Sequence, residues 1–356
     1  MNERLSRWGH ELVAVVAGKH SARSLPEFVE RAFPVPVHQL PSLGFVFREN
    51  RGVDLPATFR RAVGSLRTYR NSMRRLREVV RETQPDLVVN FFEPLTGLVQ
   101  LVRPLPVPVL AIGHQFMVLD PDFVRCPGRR LEQLGLKLFI RLVGCGSSRL
   151  ALAFLPTPDL PKERWSAAPP LLRGRLFELD RISGSYLLIY VLNHGYSEEI
   201  LAWHREHPDV EVHCFYDRPG APAVEEVESK LTFHQLDGEK FLRMMAGCRA
   251  VACTAGFESV SEAAWLGKPL LVVPVEHHLE QVLNALDVAR AGLGIADTSF
   301  ELDRLLYAEI PDNRRFREWV IRSDEIVERA IRDAGRLTPR ARAAAARESA
   351  APAPAG

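Results

Sequence analysis

The chain has 356 residues, a length that suits two domains at about 100 to 200 residues each and excludes a single small module. Apolar residues make up 46% and charged residues 25%, an ordinary globular balance that excludes an intrinsically disordered chain. Lys and Arg number 46 against 44 Asp and Glu, a formal net charge of +2, so no global field favours a nucleic acid and any charged ligand must be held locally.

Only six of the 46 basic residues are Lys, an Arg bias read here as composition and assigned mostly to the surface. The five cysteines, Cys126, Cys145, Cys214, Cys248 and Cys253, are odd in number and scattered. With no secretory apolar segment at the start, they predict free thiols in a reducing, cytoplasmic setting. No run of about 18 apolar, charge-free residues occurs, so no spanning helix is expected and the chain reads as soluble or peripheral.

Short β-rich runs alternate with amphipathic segments, which predicts parallel sheets covered by helices on both faces. The first strands fall at Glu11–Ala17, Pro85–Asn90 and Val107–Ile112. Between the first two, Ala57–Glu82 spaces Val63, Leu66, Tyr69, Met73, Leu76 and Val80 helically with Arg outside, the pattern of one surface helix. The stretch 129–152 mixes Leu131, Leu134 and Leu138 with Arg130, Lys137 and Arg141. Two readings stay open for it: an inner helix with a solvated basic face, or a face lying on anionic lipid.

Five prolines between Leu155 and Arg181 mark a crossing between domains. The alternation then restarts with strands at Tyr186–Leu192, Val210–Tyr216, Leu231–Gln235, Ala250–Cys253 and Leu270–Pro274, and helices at Ser197–His207, Gly238–Ala246 and Glu258–Leu266. Arg314–Ile331 reads as one further amphipathic helix. The expected division is residues 1–155, a linker at 156–183, a second α/β domain at 184–312, a helical segment at 313–335 and an Ala/Arg/Pro-rich disordered tail at 336–356.

Chemistry concentrates after the strand Ala250–Cys253. The turn Thr254-Ala255-Gly256 leads straight into a helix, so unpaired backbone N–H groups and the positive end of the helix dipole meet there, a setting suited to a phosphate or diphosphate. Thr254 and Ser259 add hydroxyl donors, and Glu262, one turn in, has the right chemistry to accept bonds from the vicinal hydroxyls of a ribose. An ordinary Ser/Glu capping pattern on a βαβ unit is the plainer alternative. After Pro274 come Glu276, His277, His278, Glu280, Gln281 and Asn284, polar groups just past a strand's carboxyl end, where open α/β sheets bind ligands.

This stretch, Gly256-Phe257-Glu258-Ser259, Glu262, Gly267-Lys268-Pro269, Pro274 and Glu280-Gln281-Val282-Leu283-Asn284-Ala285, resembles the donor-binding signature of GT-B glycosyltransferases. That superfamily includes the UDP-glycosyltransferases and the N-acetylglucosaminyltransferase of peptidoglycan lipid II, and the bacterial members are the most similar. The resemblance implies a GT-B fold, two Rossmann-like doubly wound domains facing a cleft, with residues 1–155 binding the acceptor and 184–312 the nucleotide sugar. It implies transfer of a sugar from a nucleotide-diphosphate sugar, a UDP-sugar above all, without metal or cofactor, to a small-molecule or lipid-linked acceptor. By the same resemblance Gly256, Glu258 and Ser259 lie at the diphosphate and Glu262 at the ribose. Glu280 and Gln281 meet hydroxyls of the transferred sugar, and Asn284 supports the loop. Thr254 stands where many relatives have a His, and brings no charge.

The first strand and Gly-rich loop of the family, which usually carry the His or Asp base, have no counterpart. The chain opens at a segment similar to the family's first helix and second strand, so His10 reads as a turn residue. The candidate bases that remain are His114 and His194, each following a predicted strand, and His114 reads also as an acceptor-site residue. His194-Gly195, after the first strand of the second domain, is expected to approach the donor phosphates. The spacing of His277 and His278 matches no metal-ligand pattern, and Cys248 and Cys253 read as core thiols. Two rivals are a UDP-N-acetylglucosamine 2-epimerase-type isomerase, whose Thr-Glu-Arg-Pro-Glu-like run is absent, and a non-catalytic nucleotide-sugar binder.

Overall fold

The computed structural model describes residues 1–19, 33–44, 47–48, 52–53, 55–191 and 194–336. A short helix, α1 (Asn2–Arg7), precedes strands β1 (Val15–Lys19) and β2 (Val37–Pro41), which pair in parallel with Val15 opposite Val37. β3 (Phe47–Arg48) and β4 (Gly52–Val53) form a small antiparallel pair. The expected single surface helix is two helices, α2 (Leu55–Gly64) and α3 (Leu66–Thr83), parted at Ser65.

Strands β5 (Val88–Asn90), β6 (Val109–Gly113), β7 (Ser148–Leu152) and β8 (Trp165–Ala168) form a second parallel sheet in chain order. β8 lies inside the segment expected to be linker, so the first domain reaches Ala168 and the crossing shortens to its C-terminal part. Helix α4 (Pro94–Val102) follows β5 and has a Pro at its first position, where no N–H is needed. The Glu93 side chain accepts the Leu95 N–H at 3.2 Å, and the Asn90 side chain accepts the Glu93 N–H at 2.8 Å. Gly97 lets α4 press against α5 (Arg130–Val143); a side chain there would overlap the Leu142 carbonyl.

Among the described residues, β1–β2 and β5–β8 are separate sheets, so β1 and β5 each keep one unpaired edge. They share a core nonetheless. Leu40, Leu76, Val80, Leu95, Val99 and Val109 cluster with Val16 and Val88 against them.

The second domain is a seven-stranded sheet in the order β11-β12-β10-β9-β13-β14-β15. It comprises β9 (Leu187–Tyr190), β10 (Val212–Tyr216), β11 (Val224–Glu228), β12 (Leu231–Gln235), β13 (Ala250–Thr254), β14 (Leu270–Val273) and β15 (Ile295–Ala296), all parallel except the edge strand β11. Helices α6 (Ser197–Glu206), α7 (Gly238–Gly247), α8 (Phe257–Leu266) and α9 (Leu279–Arg290) connect them. From β9 the chain goes first to β10 on one side and later to β13 on the other. The strand order therefore reverses between β9 and β13, the crevice where such sheets take ligands.

The expected helix Arg314–Ile331 is likewise two, α11 (Arg314–Ile321) and α12 (Ser323–Gly335), after a short α10 (Asp303–Leu306). The Asn313 amide donates to Ala264 O at 2.8 Å on α8, and the Trp319 indole donates to Ala153 O at 3.0 Å in the first domain. Ile326, Val327 and Ile331 then join one core with Leu110, Ile112, Leu150 and Trp165. The expected tail, beyond Arg336, lies outside the described residues. All five thiols are free, and burial pushes Cys248 and Cys253 up to about 12. No described helix is long and apolar enough to cross a membrane.

Candidate functional site

The reversal point of the second sheet is lined by the two turns singled out in the sequence. After β9, His194–Tyr196 forms one 3-10 turn leading into α6; Asn193 and the His194 side chain fall outside what the structure describes. After β13, the buried Thr254 ends the strand and its carbonyl accepts the Gly256 N–H at 2.6 Å. Gly256 is the N-cap of α8 with no side chain to cap it. The first N–H groups of α8, at Phe257, Glu258 and Ser259, therefore face the crevice end without intrahelical partners, at the positive pole of the helix. Glu258 faces outward, yet the surrounding protein desolvates its carboxyl and, with the Glu262 charge nearby, pushes its pKa up against the pull of Arg173.

Glu262 is buried and already engaged. Arg173 Nε and Nη2 donate to its two oxygens at 2.6 and 2.8 Å, and Nη1 donates to Gly238 O at 3.1 Å. Burial, the largest single influence, draws the guanidinium pKa down, and the bonds to Glu262 together with the charges of Glu262, Glu239 and Glu258 leave Arg173 above its ordinary value. Sequence reading missed Arg173. It is the one Arg in an otherwise apolar Pro/Leu run, Pro169-Pro170-Leu171-Leu172-Arg173, and that contrast was the available signal.

Across the cleft, Gln115 of the first domain donates through Nε2 to Glu280 Oε1 at 3.0 Å. Burial pushes the Glu280 carboxyl up while Gln115 opposes it. Gln281 is committed to its own loop through one atom, its Oε1 accepting the Val275 N–H at 2.9 Å. The His278 side chain caps α9 by accepting the Gln281 N–H at 3.4 Å, and burial lowers its pKa. Asn284 donates to Ala255 O at 3.0 Å and so ties α9 to the turn between β13 and α8. Among the described residues no group of three or more His, Cys, Asp or Glu is placed to hold a metal ion.

His114 is brought to the same place but in a different state from the one a base requires. Its ring stacks on Phe257 of α8 at 4.1 Å and 15°, with Phe154 and Phe123 around it. Nδ1 lies 2.7 Å from Leu152 O, and Nε2, near the Asn284 amide, meets no partner in full hydrogen-bonding geometry among the described residues. Burial pushes the imidazole down to about 4, with the Leu152 carbonyl and the Asn284 amide pulling the other way. A base works best with a pKa near the working pH, so His114 is corrected from base to interdomain contact. His10 follows α1 and the left-handed Gly9, as a turn residue.

This burial has a pH consequence. The folded pKa of about 4 lies below the ordinary 6.5, so the unfolded chain binds more protons between those values and stability falls as pH falls. His234, also lowered to about 4 by burial, Lys240 and His213, acts with the same sign. Urea unfolding should show stability full above pH 6.5 and dropping by about 3 kcal/mol per such histidine toward pH 4. His114→Phe should flatten the drop; an unchanged slope would contradict the buried neutral ring.

The geometry was compared with known proteins. A family model described as glycosyl transferase family 1 matches residues 1–309. No match is found among curated proteins. Among solved structures, the calicheamicin glycosyltransferase CalG4 is 20% identical, with a TM-score of 0.53 over 98% of this chain and 94% of its own. The glycosyltransferase SnogD from Streptomyces nogalater is 18% identical, with a TM-score of 0.51 over 98% and 94%. UGT71G1 of Medicago truncatula, complexed with UDP-glucose, is 12% identical, with a TM-score of 0.55 over 94% and 88%. At these identities the likeness is one of fold, and the fold is GT-B, with two Rossmann-like domains.

Proposed function

This chain belongs to glycosyl transferase family 1, and from that membership and the crevice geometry we propose that it transfers a sugar from a UDP-sugar to a hydroxyl of a small or lipid-linked acceptor. The observation that carries the reading is the uncapped N-terminus of α8 at the sheet's reversal point, flanked by Glu262 and by the interdomain pair Gln115–Glu280.

The N–H groups of Phe257, Glu258 and Ser259, with the Thr254 hydroxyl, stabilise the charge that develops on the departing diphosphate, so the step needs no metal. The turn at His194-Gly195 approaches the same phosphates from β9. Arg173, beside Glu258 and Glu262, supplies the fixed cation that Thr254 lacks. Glu262 takes the ribose hydroxyls through the lone pairs Arg173 leaves open. Glu280 meets hydroxyls of the transferred sugar, and Gln281 does so through its amide nitrogen while its oxygen holds the Val275 N–H. His114 and Asn284 fix α8 and α9 against the first domain. The free thiols support a reducing, cytoplasmic setting.

The decisive experiment is turnover of UDP-sugars by the full chain with a panel of hydroxyl acceptors. UDP release should depend on acceptor and remain unchanged with EDTA. Loss of turnover on chelation would overturn metal independence. Acceptor-free conversion of UDP-N-acetylglucosamine to its epimer would install the isomerase reading, and UDP binding without any turnover the non-catalytic one.

A further inference from the structure

We propose that helix α5 is a membrane-docking element whose outer face lies on an anionic lipid surface beside the cleft. This deepens the transferase reading by naming where the acceptor is met, and it rests on that reading only for the acceptor, not for the docking. The inner side of α5 is anchored by Ile140 and Val143, both fully buried. On the outer side Leu131, Leu134 and Leu138 stand at i, i+3 and i+7, and they are 85%, 53% and 58% exposed. Three large apolar side chains in one helical row is a coherent apolar ridge that water disfavours.

The flanks of the ridge decide what covers it. Arg130, Lys137 and Arg141 border the leucines, and the helix has one acid, Glu132, which is neutralised by Arg129. A second copy of this chain would bring like charges together around its own leucines. A nucleic acid would use the cations and leave the leucines wet. A lipid surface with anionic headgroups takes both, the leucines among the acyl chains and the cations at the phosphates.

The adjoining layer adds the same sign. α4 packs between α3 and α5 and exposes Leu101 and Val102 at its end. On α3, Arg67, Arg70, Arg74, Arg77 and Arg81 recur at spacings of three and four. None of these five pairs with a carboxylate among the described residues, whereas Arg75, off that row, pairs with both Glu78 and Glu82. The even charge balance of the whole chain thus conceals a basic helical layer. α5 also packs on α9, which carries Glu280 and Gln281, so a bilayer on α5 presents headgroups next to the cleft.

The test is sedimentation of the full chain with phosphatidylcholine vesicles, with and without phosphatidylglycerol. Binding should be about tenfold or more tighter with phosphatidylglycerol and weakened by salt. Leu131→Glu with Leu138→Glu, and separately Arg130→Glu with Arg141→Glu, should each abolish most of it while UDP binding by calorimetry is unchanged. Absence of sedimentation, equal binding to both vesicle types, or a dimer in analytical ultracentrifugation that Leu138→Glu dissolves would each overturn the proposal. Wild-type chain that sediments but fails to bind UDP would instead overturn the donor reading alone.

Discussion

Replacing Lys268 with methionine should lower stability by about 2 to 5 kcal/mol, the cost of leaving buried carbonyls without donors. The Lys268 ammonium is 4% exposed, and it donates to Ile182 O at 2.6 Å, Ala246 O at 2.7 Å and Cys248 O at 2.8 Å. Its three N–H protons thus meet three carbonyls and no carboxylate. Burial pulls its pKa down, which records the desolvation that these bonds offset. Methionine fills the space but donates nothing. Ala246 O keeps the Ile182 N–H, while the carbonyls of Ile182 and Cys248 lose their donor. Because these carbonyls come from the crossing segment and from the α7–β13 turn, the lysine pins the entry of the second domain to its sheet. Urea titration is the measurement; a loss under about 1 kcal/mol would mean that burying the ammonium costs as much as its bonds return.

The second large effect concerns the donor. Glu262→Ala should weaken UDP binding by about tenfold to a hundredfold, or roughly 1 to 3 kcal/mol. Unchanged affinity would remove Glu262 from the ribose. Arg173→Met should weaken UDP binding too, because it leaves the buried carboxylate without its cation beside Glu258. The double variant separates two roles for the arginine. If Arg173 orients Glu262, the double variant loses little more than either single one, and uridine suffers as much as UDP. If Arg173 also touches the diphosphate, the losses on UDP approach additivity and uridine is spared most of the arginine effect. The placement of Arg173 on the flank of α8 favours a contribution of the second kind, and calorimetry with the two ligands reads it.

How much of this was legible in the sequence depended on chain separation. The strand, turn and helix from Ala250 to Leu266 were written locally, as an apolar run, small turn residues and a helical segment, and the structure has them within a residue. So were β9, β10, β12 and β14, whose apolar runs end at turn residues. β8 was hidden because prolines flank it, and β11 because an exposed edge strand such as Val224–Glu228 is mostly charged. The breaks at Ser65 and Arg322 leave the apolar periodicity intact across them, so periodicity alone reads one helix where there are two. The site shows the same division. Gly256, Ser259 and Glu262 share one helix start and follow from spacing. Arg173 meets Glu262 across 89 residues and Gln115 meets Glu280 across 165; the apolar run around Arg173 marks that residue but not its partner, and nothing local marks Gln115. His114 follows a strand that was legible, but its burial against Phe257 is a tertiary fact.

The return of α11 and α12 to the first domain has a consequence for how the chain is made. Trp319, Ile326, Val327 and Ile331 complete the core that Leu110, Ile112, Leu150 and Trp165 begin. During synthesis the first of these groups leaves the ribosome only after the whole second domain has been translated. That core therefore lacks one flank until these helices have been translated. The last helices thus set the moment at which the cleft acquires two finished walls.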